Sequence, residues 1–168
     1  TTDDGATPDL KTTRLDTIHM AASLAYAAHS LVNQATTDDG STPIYIAAQF
    51  DNRDVVRYLA GEADADVNQA RTDGGGGTPL LIATQNGNLD VVRYLAGEAN
   101  ADVNQARADT GATPLYIAAE NGNMDVVRYL AGEAHADVNQ ATTDNGRNSL
   151  RIAASKGNLD VVRYLAGE

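Results

Sequence analysis

The chain has 168 residues, of which 42% are hydrophobic and 21% charged, and its net charge is −11. No apolar run approaches the roughly 18 residues that suggest a membrane span, so we predict no direct membrane insertion. The absence of cysteine excludes disulfides, thiolate nucleophiles and cysteine-based zinc sites, and the negative charge opposes nucleic-acid binding.

The same composition indicates a setting for the protein. A cysteine-free chain is compatible with a reducing compartment, so we expect an intracellular, cytoplasmic protein. The chain has neither a signal peptide nor an initiator Met, which favours a segment of a larger chain or complex. Its charge favours basic partners, although acidity that only keeps the chain dissolved would look the same.

An internal repeat organises the whole sequence. The segment DVVRYLAGE occurs at 54–62, 90–98, 125–133 and 160–168, so successive copies start 36, 35 and 35 residues apart. Residues 1–35 align without gaps on the next unit, although their helical parts have diverged. We therefore predict a single domain of five units, at 1–35, 36–70, 71–106, 107–141 and 142–168.

Each unit begins with a loop and a short first helix. Thr42-Pro43, Thr78-Pro79 and Thr113-Pro114 are typical of a helix start, because the Thr hydroxyl accepts an orphan N–H and Pro at the first position loses nothing. The first helices read IYIAA, LLIAT, LYIAA and LRIAA, and their alanines allow close packing. The third unit holds one extra residue in the run 74–77, which predicts a surface loop there.

A turn and a second helix follow in each unit. The turn reads NGN at 86–88 and 121–123, where Gly suits a positive φ and the second Asn is expected to cap the next helix. The second helix carries an apolar stripe, Val-Val-x-x-Leu-Ala, and an Asp–Arg pair such as Asp54 and Arg57 on its solvated face.

One such helix pair cannot bury its apolar face alone, so the units must stack into an all-α helix–turn–helix solenoid. Its ends should be more polar than its middle. The first helix of unit one reads DLKTTRL, and unit five replaces Thr-Pro by Asn148-Ser149.

These motifs resemble the ankyrin repeat family, whose signature is G-x-T-P-L-H-x-A-A followed by a second helix and A-D-V-N. The matching segments are Gly40–Pro43, Leu115–Ala119 and Ala101–Asn104. The resemblance covers the whole chain, most weakly at 9–31. It implies hairpin-like loops that project as fingers beside a concave groove of first helices, and a non-catalytic protein-binding role.

The chain also departs from the family pattern. The family period is 33 residues, whereas this one is mostly 35, with one extra residue in LAGEADADVN and another in the finger. The usual Gly before Ala-Asp-Val-Asn is Asp64, Asn100 or His135 here. These residue types tolerate the left-handed region, so we expect the turn to survive. The His of the family's first helix is replaced by Tyr45, Leu81, Tyr116 and Arg151.

No combination of residues predicts catalysis or a cofactor. His19 and His29 lie about three helical turns apart, too far for one metal ion. The run 74–77 lacks the Lys of a phosphate-binding loop, and Asp38-Asp39-Gly40 lacks the remaining ligands of a calcium loop. We therefore predict no enzyme, no metal and no cofactor.

Positions that differ between units are candidates for partner contact, because positions that are identical serve the stack. They fall at the finger tips and on the first helices: Arg14, Leu15, Asp38, Asp39, Ser41, Tyr45, Gln49, Phe50, Gln85, Asn86, Asp109, Thr110, Tyr116, Glu120, Asn121, Asp144, Arg147, Arg151 and Lys156. Drift at neutral surface sites would produce a similar pattern.

Phe50 is the most informative of these residues. It is the only Phe, and its slot holds Asn86, Asn121 and Lys156 in later units. With Leu15 it would form an apolar patch at the N-terminal end of the groove, and aromatic anchors dominate many interfaces. The alternative is that Phe50 covers a weak joint between units one and two.

Two functions are compatible with this sequence. The first is a protein-recognition module whose fingers and groove bind a partner with a basic or mixed surface. The second is a structural spacer or assembly subunit that contacts its neighbours through the regular Arg57/Tyr58 ladder of its second helices.

Overall fold

The computed structural model describes Met20, Ser23, Ala27 and residues 29–72 and 75–167. Contacts divide the chain into Thr1–Leu31 and Val32–Glu168. In the first part, the described residues at 20, 23, 27 and 29–31 are helical. The second part holds the repeat array.

Four helix pairs make up the array, and the described residues contain no strand. The expected all-α repeat of helix, turn and helix is therefore confirmed. The elements are α1 (Pro43–Gln49), α2 (Arg53–Gly61), α3 (Pro79–Asn86), α4 (Leu89–Arg93), π1 (Tyr94–Glu98), α5 (Pro114–Asn121), α6 (Met124–Arg128), π2 (Tyr129–Glu133), α7 (Ser149–Lys156) and α8 (Leu159–Ala166).

The first helices start as the Thr-Pro pairs predict. Thr42, Thr78 and Thr113 each have extended backbone, and each hydroxyl accepts the N–H of the residue three positions on, at 3.2–3.3 Å. Asn148 does the same for Arg151 at 3.1 Å. Each cap satisfies one of the orphan N–H groups at the helix start.

The turn between the two helices uses a left-handed residue, as expected. Gly87, Gly122 and Gly157 have φ of 74°, 70° and 77°, and Asp51 takes the same position with φ 57°. The predicted left-handed turn before Ala-Asp-Val-Asn is also confirmed, since Asp64, Asn100 and His135 have φ of 57°, 55° and 57°.

The Asn after this turn does not cap the second helix, so that expectation was wrong. The side chains of Asn88, Asn123 and Asn158 make no cap bond. Their amides instead donate across the junction to the carbonyls of Ala48 at 2.9 Å, Thr84 at 3.2 Å and Ala119 at 2.8 Å. Those carbonyls lie in the last turn of the preceding first helix, where no partner within the helix exists.

The second helices of the two central units widen at their ends. α4 and α6 continue as the π-helices π1 and π2, in which the N–H of Ala99 and Ala134 bonds to the carbonyl of Tyr94 and Tyr129 at 2.9 Å. Such a turn holds one more residue than an α turn. The extra residue in LAGEADADVN is accommodated there.

The core lies between neighbouring units as well as within them. The first helices pack on one another along the array, as do the second helices. Val91, Val92 and Leu95 are fully buried, and Val127 and Leu130 repeat that burial one unit on. Small side chains such as Ala83 and Ala118, both fully buried, let the first helices approach closely.

Tyrosines of the second helices donate hydrogen bonds across the junctions between described units. Tyr94 and Tyr129 are only 8% exposed, and their hydroxyls donate to the carbonyls of Arg57 at 3.4 Å and Arg93 at 3.2 Å in the preceding unit. The Arg93 guanidinium also lies over the Tyr129 ring, 5.4 Å from its centre. The repeated Arg–Tyr ladder therefore serves the stack.

A glycine makes room for each of these hydroxyls. A Cβ added at Gly97 would lie 2.6 Å from the Tyr129 hydroxyl, and one at Gly132 would lie 2.7 Å from that of Tyr164. We expect Gly97→Ala to lower the free energy of unfolding by about 1–2 kcal/mol, because the clash outweighs the usual helical preference for Ala. Urea denaturation would measure the loss.

The hydroxyl itself is the control in this experiment. Tyr129→Phe removes the clashing oxygen, so Gly97→Ala should cost much less in that background. At Gly61 the corresponding Cβ lies 3.2 Å from the Tyr94 hydroxyl, so Gly61→Ala should be milder. An equal cost of Gly97→Ala with and without the hydroxyl would contradict this account.

The last unit lacks the proline of the others. Ser149 occupies the first position of α7 and is fully buried, and its hydroxyl has no hydrogen-bond partner among the described residues. The preceding residue, Asn148, is already extended, as a residue before Pro must be.

We expect Ser149→Pro to stabilise the chain by about 0.5–1 kcal/mol, since Pro restricts the unfolded chain and removes an unsatisfied buried hydroxyl. Thermal unfolding would measure the gain. The matched reverse change is Pro114→Ser in the fourth unit, which should destabilise. A lower melting temperature for Ser149→Pro would show that the α7 start differs from its counterparts.

Candidate functional site

Loops between successive units form four fingers, at 36–41, 71–77, 107–112 and 142–147, which we call fingers 2 to 5. Backbone bonds close each base: Thr36 to Ser41, Arg71 to Gly77, Arg107 to Ala112 and Thr142 to Arg147, all at 2.9–3.0 Å. Finger 3 spans seven residues against six in the others, and its described residues, 71–72 and 75–77, are not helical, as the predicted loop requires.

Finger 2 is held by the carboxylate of Asp39. The Thr36 hydroxyl donates to it at 2.6 Å and the backbone N–H of Ser41 at 2.9 Å. These bonds, with that of Thr36 the strongest, lower the pKa of Asp39 to about 2. Arg71 of the next unit adds an ion pair at 3.0 Å, so neighbouring fingers are also tied together.

Finger 4 is organised by an arginine of its own. The Arg107 guanidinium donates to both carboxylate oxygens of Asp109, at 3.0 and 2.7 Å. This bidentate hydrogen bonding lowers the pKa of Asp109 to about 2. Arg71 and Arg107 are not among the predicted binding residues. The sequence did indicate them, because this position differs between units: fingers 2 and 5 hold Thr36 and Thr142 there.

The first helices form the floor beside the fingers. Tyr45 and Tyr116 are 4% and 8% exposed, so a partner meets their edges rather than whole rings. The Tyr45 hydroxyl accepts a bond from Arg71 at 3.2 Å, and its ring lies under that guanidinium at 5.0 Å. Burial raises the pKa of Tyr116, and the charge of Glu120 adds to this effect. Arg151, in α7, is exposed.

The C-terminal ends of the first helices carry the other candidates. Asn86 and Asn121 donate to the carbonyls of Gln49 and Gln85 in the preceding units, at 2.9 and 3.0 Å. Lys156 in the same slot pairs with Glu120 at 3.1 Å. These side chains therefore bridge units while remaining on the surface.

Phe50 is apolar, unlike the residues at the same position in the later units. Its side chain is 66% exposed, and Ile46 one turn before it is 37% exposed. The residues equivalent to Ile46 in later units, Ile82, Ile117 and Ile152, are at most 9% exposed. The second unit thus carries two apolar side chains, one helical turn apart, that are exposed.

The remaining candidates divide by exposure. Asp38 and Asp144 are exposed at finger tips, Arg147 is exposed at the base of finger 5, and Asp109 and Thr110 lie at the tip of finger 4. Ser41 is only 1% exposed, so it shapes its finger from within. Arg14 and Leu15, and the tip residue Gly74, lie outside the described residues.

Charge is distributed unevenly between the two sides of the array. The described residues of the fingers and first helices include five acidic and five basic side chains: Asp38, Asp39, Asp109, Glu120 and Asp144, and Arg71, Arg107, Arg147, Arg151 and Lys156. Asp73 of finger 3, which lies outside the described residues, makes the acidic residues six. Among the described residues, the second helices and the loops after them, which we call the outer side, hold eleven acidic residues against five arginines. The net negative charge therefore lies mainly on the outer side.

Neither a metal-binding cluster nor a membrane-spanning helix occurs among the described residues. Among the described residues, no group of three or more His, Asp or Glu side chains is placed to hold a metal ion. Within the same residues, none of the helices is both long and apolar enough to span a bilayer.

Comparison with known proteins agrees with this geometry. A family model described as ankyrin repeats, in three copies, matches residues 17–107 and 105–168. The search of curated proteins found no match.

The low pKa of Asp39 yields a testable consequence for finger 2. We expect Thr36→Val to raise the pKa of Asp39 from about 2 toward 3.8, because the hydroxyl makes the largest contribution. Arg71→Thr, which copies fingers 2 and 5, should raise it less. A carboxyl-detected NMR titration would give both values.

The sign of the stability change follows from the lowered pKa. A carboxylate with a folded-state pKa below its unfolded value stabilises the fold above about pH 4, and this contribution is lost as the pH falls toward 2. Thr36→Val should therefore flatten the acid side of the stability curve. A larger pKa rise in Arg71→Thr would show instead that the ion pair dominates.

Proposed function

Because the chain belongs to the ankyrin repeat family, whose members are generally protein–protein interaction modules, we propose that it binds a partner through its finger tips and first-helix groove. We propose no catalytic role, since such repeats are typically non-catalytic. The partner would be another protein, and no cofactor is required.

A division of labour between residues supports this proposal. Those that are identical in each unit are used at the junctions: Tyr94 and Tyr129 donate across them, and Gly97 and Gly132 make room for the hydroxyls. Several of those that differ, such as Asp38, Asp144 and Arg151, are exposed on the fingers and first helices, whereas Asn86 and Asn121 also bridge units. A surface that varies while its scaffold stays fixed is suited to recognition.

The charge balance of that surface favours a partner of mixed charge. The sequence places six acidic and five basic residues in the fingers and first helices, and several of those that are described form pairs such as Arg107 with Asp109. A purely basic partner surface would have to displace those pairs. The excess acidity of the outer side would still attract basic proteins over a longer range.

The alternative function uses the flank of the second helices. There the Arg93 side chain is exposed, but Tyr94 and Tyr129 are 8% exposed and committed to the junctions. Tyr58, at 57%, is the accessible member of the set. A spacer would therefore offer mainly charged arginine and aspartate side chains, and exposed ion pairs contribute little to affinity.

The sharpest test concerns Phe50. A partner would first be captured on the immobilised chain and identified by mass spectrometry, and its affinity then measured by calorimetry. We expect Phe50→Ala to weaken binding by at least about 1 kcal/mol, the cost typical of an anchor residue. The melting temperature should hardly change, because the side chain is 66% exposed.

Two controls separate the rival explanations. Phe50→Asn copies the residue of units three and four and should weaken binding as Phe50→Ala does. Arg128→Ala removes an exposed side chain from the second-helix flank that stacks on no ring among the described residues, and it should leave affinity unchanged. If Phe50→Ala costs stability but not affinity, Phe50 covers a joint. If Arg128→Ala abolishes binding, the spacer function is favoured.

A further inference from the structure

Three Asn-Gly pairs occur in the chain, and the structure places them in different surroundings. They are Asn86-Gly87, Asn121-Gly122 and Asn145-Gly146. In such a pair the backbone nitrogen of Gly is able to attack the side-chain amide carbon of Asn, because Gly offers little steric hindrance. The reaction requires the backbone to leave regular structure, so local structure decides which pair reacts.

Two of the pairs are held at a helix end. Asn86 and Asn121 are the last residues of α3 and α5, and their amide nitrogens donate to Gln49 and Gln85 at 2.9 and 3.0 Å. The N–H groups of Gly87 and Gly122 are themselves bonded to helix carbonyls. Reaction there would break the junction and the helix end together, which opposes it.

The third pair lies at the tip of finger 5. Asn145 and Gly146 are both exposed, and among the described residues no hydrogen bond involves the Asn145 amide nitrogen. The Asn145 carboxamide oxygen accepts from Thr142 at 3.0 Å and from the N–H of Arg147 at 3.2 Å. One backbone bond, from Gly146 to the Thr142 carbonyl at 3.1 Å, restrains the attacking nitrogen.

Finger 5 packs on finger 4, where the Thr143 N–H donates to the Thr110 carbonyl at 3.0 Å, but no described finger lies on its other side. A Cβ added at Gly40, Gly76 or Gly111 would collide with the next finger, at Thr72, Ala108 or Thr143. At Gly146 the same Cβ would meet nothing within 4 Å. Opening finger 5 therefore disturbs no following loop among the described residues, and it should open more readily than the helix ends.

We propose that Asn145 is a site of spontaneous deamidation in the folded protein. The Gly146 nitrogen, on losing its proton, forms a bond to the side-chain amide carbon of Asn145, and the carbon–nitrogen bond of the carboxamide breaks to release ammonia. Water then opens the cyclic imide at either carbonyl, giving aspartate or isoaspartate. The net change is addition of one water and loss of one ammonia.

The aspartate product reproduces a loop that the chain already contains. Finger 2 begins Thr-Thr-Asp-Asp-Gly and finger 5 begins Thr-Thr-Asp-Asn-Gly. In finger 2 the carboxylate accepts from Thr36 at 2.6 Å and from Ser41 at 2.9 Å. The product would therefore keep the loop closed and add one negative charge beside Arg147. Isoaspartate lengthens the backbone and would open the loop.

The test compares the three pairs within one chain. The intact protein is kept at neutral and mildly alkaline pH, and peptides containing each Asn are followed by mass spectrometry. We expect Asn145 to convert on the order of tenfold faster than Asn86 or Asn121, and faster still as the pH rises. In denaturant the three should react at similar rates.

Each result has one meaning. Equal rates in the folded chain, or an Asn145 that is no faster, overturn the proposal. A rate order that persists in denaturant also overturns it, since sequence rather than structure would then set the order. Asn145→Asp should retain the melting temperature, as the finger 2 loop predicts. The affinity of the Asn145→Asp variant for a partner is measured separately. A loss of that affinity would bear on the proposed function and not on deamidation.

Discussion

Stacking between helix pairs is the constraint on which the array depends, because α-helices of five to nine residues, even where a π-helix of five residues continues them, cannot bury enough apolar surface alone. The junctions between units supply this burial, and they restrict which side chains can be placed there. Val91 and Val92 are fully buried between the units on either side, whereas Val162, the counterpart of Val92 in the last unit, is only partly buried. The same sequence motif is thus core or surface according to its neighbours.

The polar groups of the junction are constrained equally. Carbonyls at the ends of α1, α3 and α5 accept a bond from the Asn of the next unit. At Gly97 and Gly132 the tyrosine hydroxyl of the next unit leaves no room for a Cβ, whereas Gly61 is less crowded. The Asn, Tyr and Gly of one unit are therefore required by contacts with the unit before or after it. This requirement explains why these residues are identical from unit to unit.

Much of the fold could be predicted from sequence, since Thr-Pro caps, left-handed turn residues and apolar stripes are local signals. The roles of Asn88 and its counterparts could not. An Asn before a helix reads as a cap, and only the position of the preceding unit shows that its amide crosses the junction. The burial of Tyr45 and the hydrogen bond from Arg71 to Asp39 likewise depend on the distance between neighbouring loops, which the sequence does not give. The predicted binding residues remain a prediction, because exposure permits contact without demonstrating it.

The distribution of charge explains how an acidic array could still recognise a mixed surface. Long-range attraction depends on net charge, most of which lies on the second helices and the loops after them. Specific contact depends on groups that touch, and the fingers and first helices carry six acidic and five basic residues. Finger 4 adds rigidity, since Arg107 holds Asp109 through two bonds and orders the tip before any partner arrives. The outer side would then influence how fast a basic protein approaches, and the fingers would decide whether it stays.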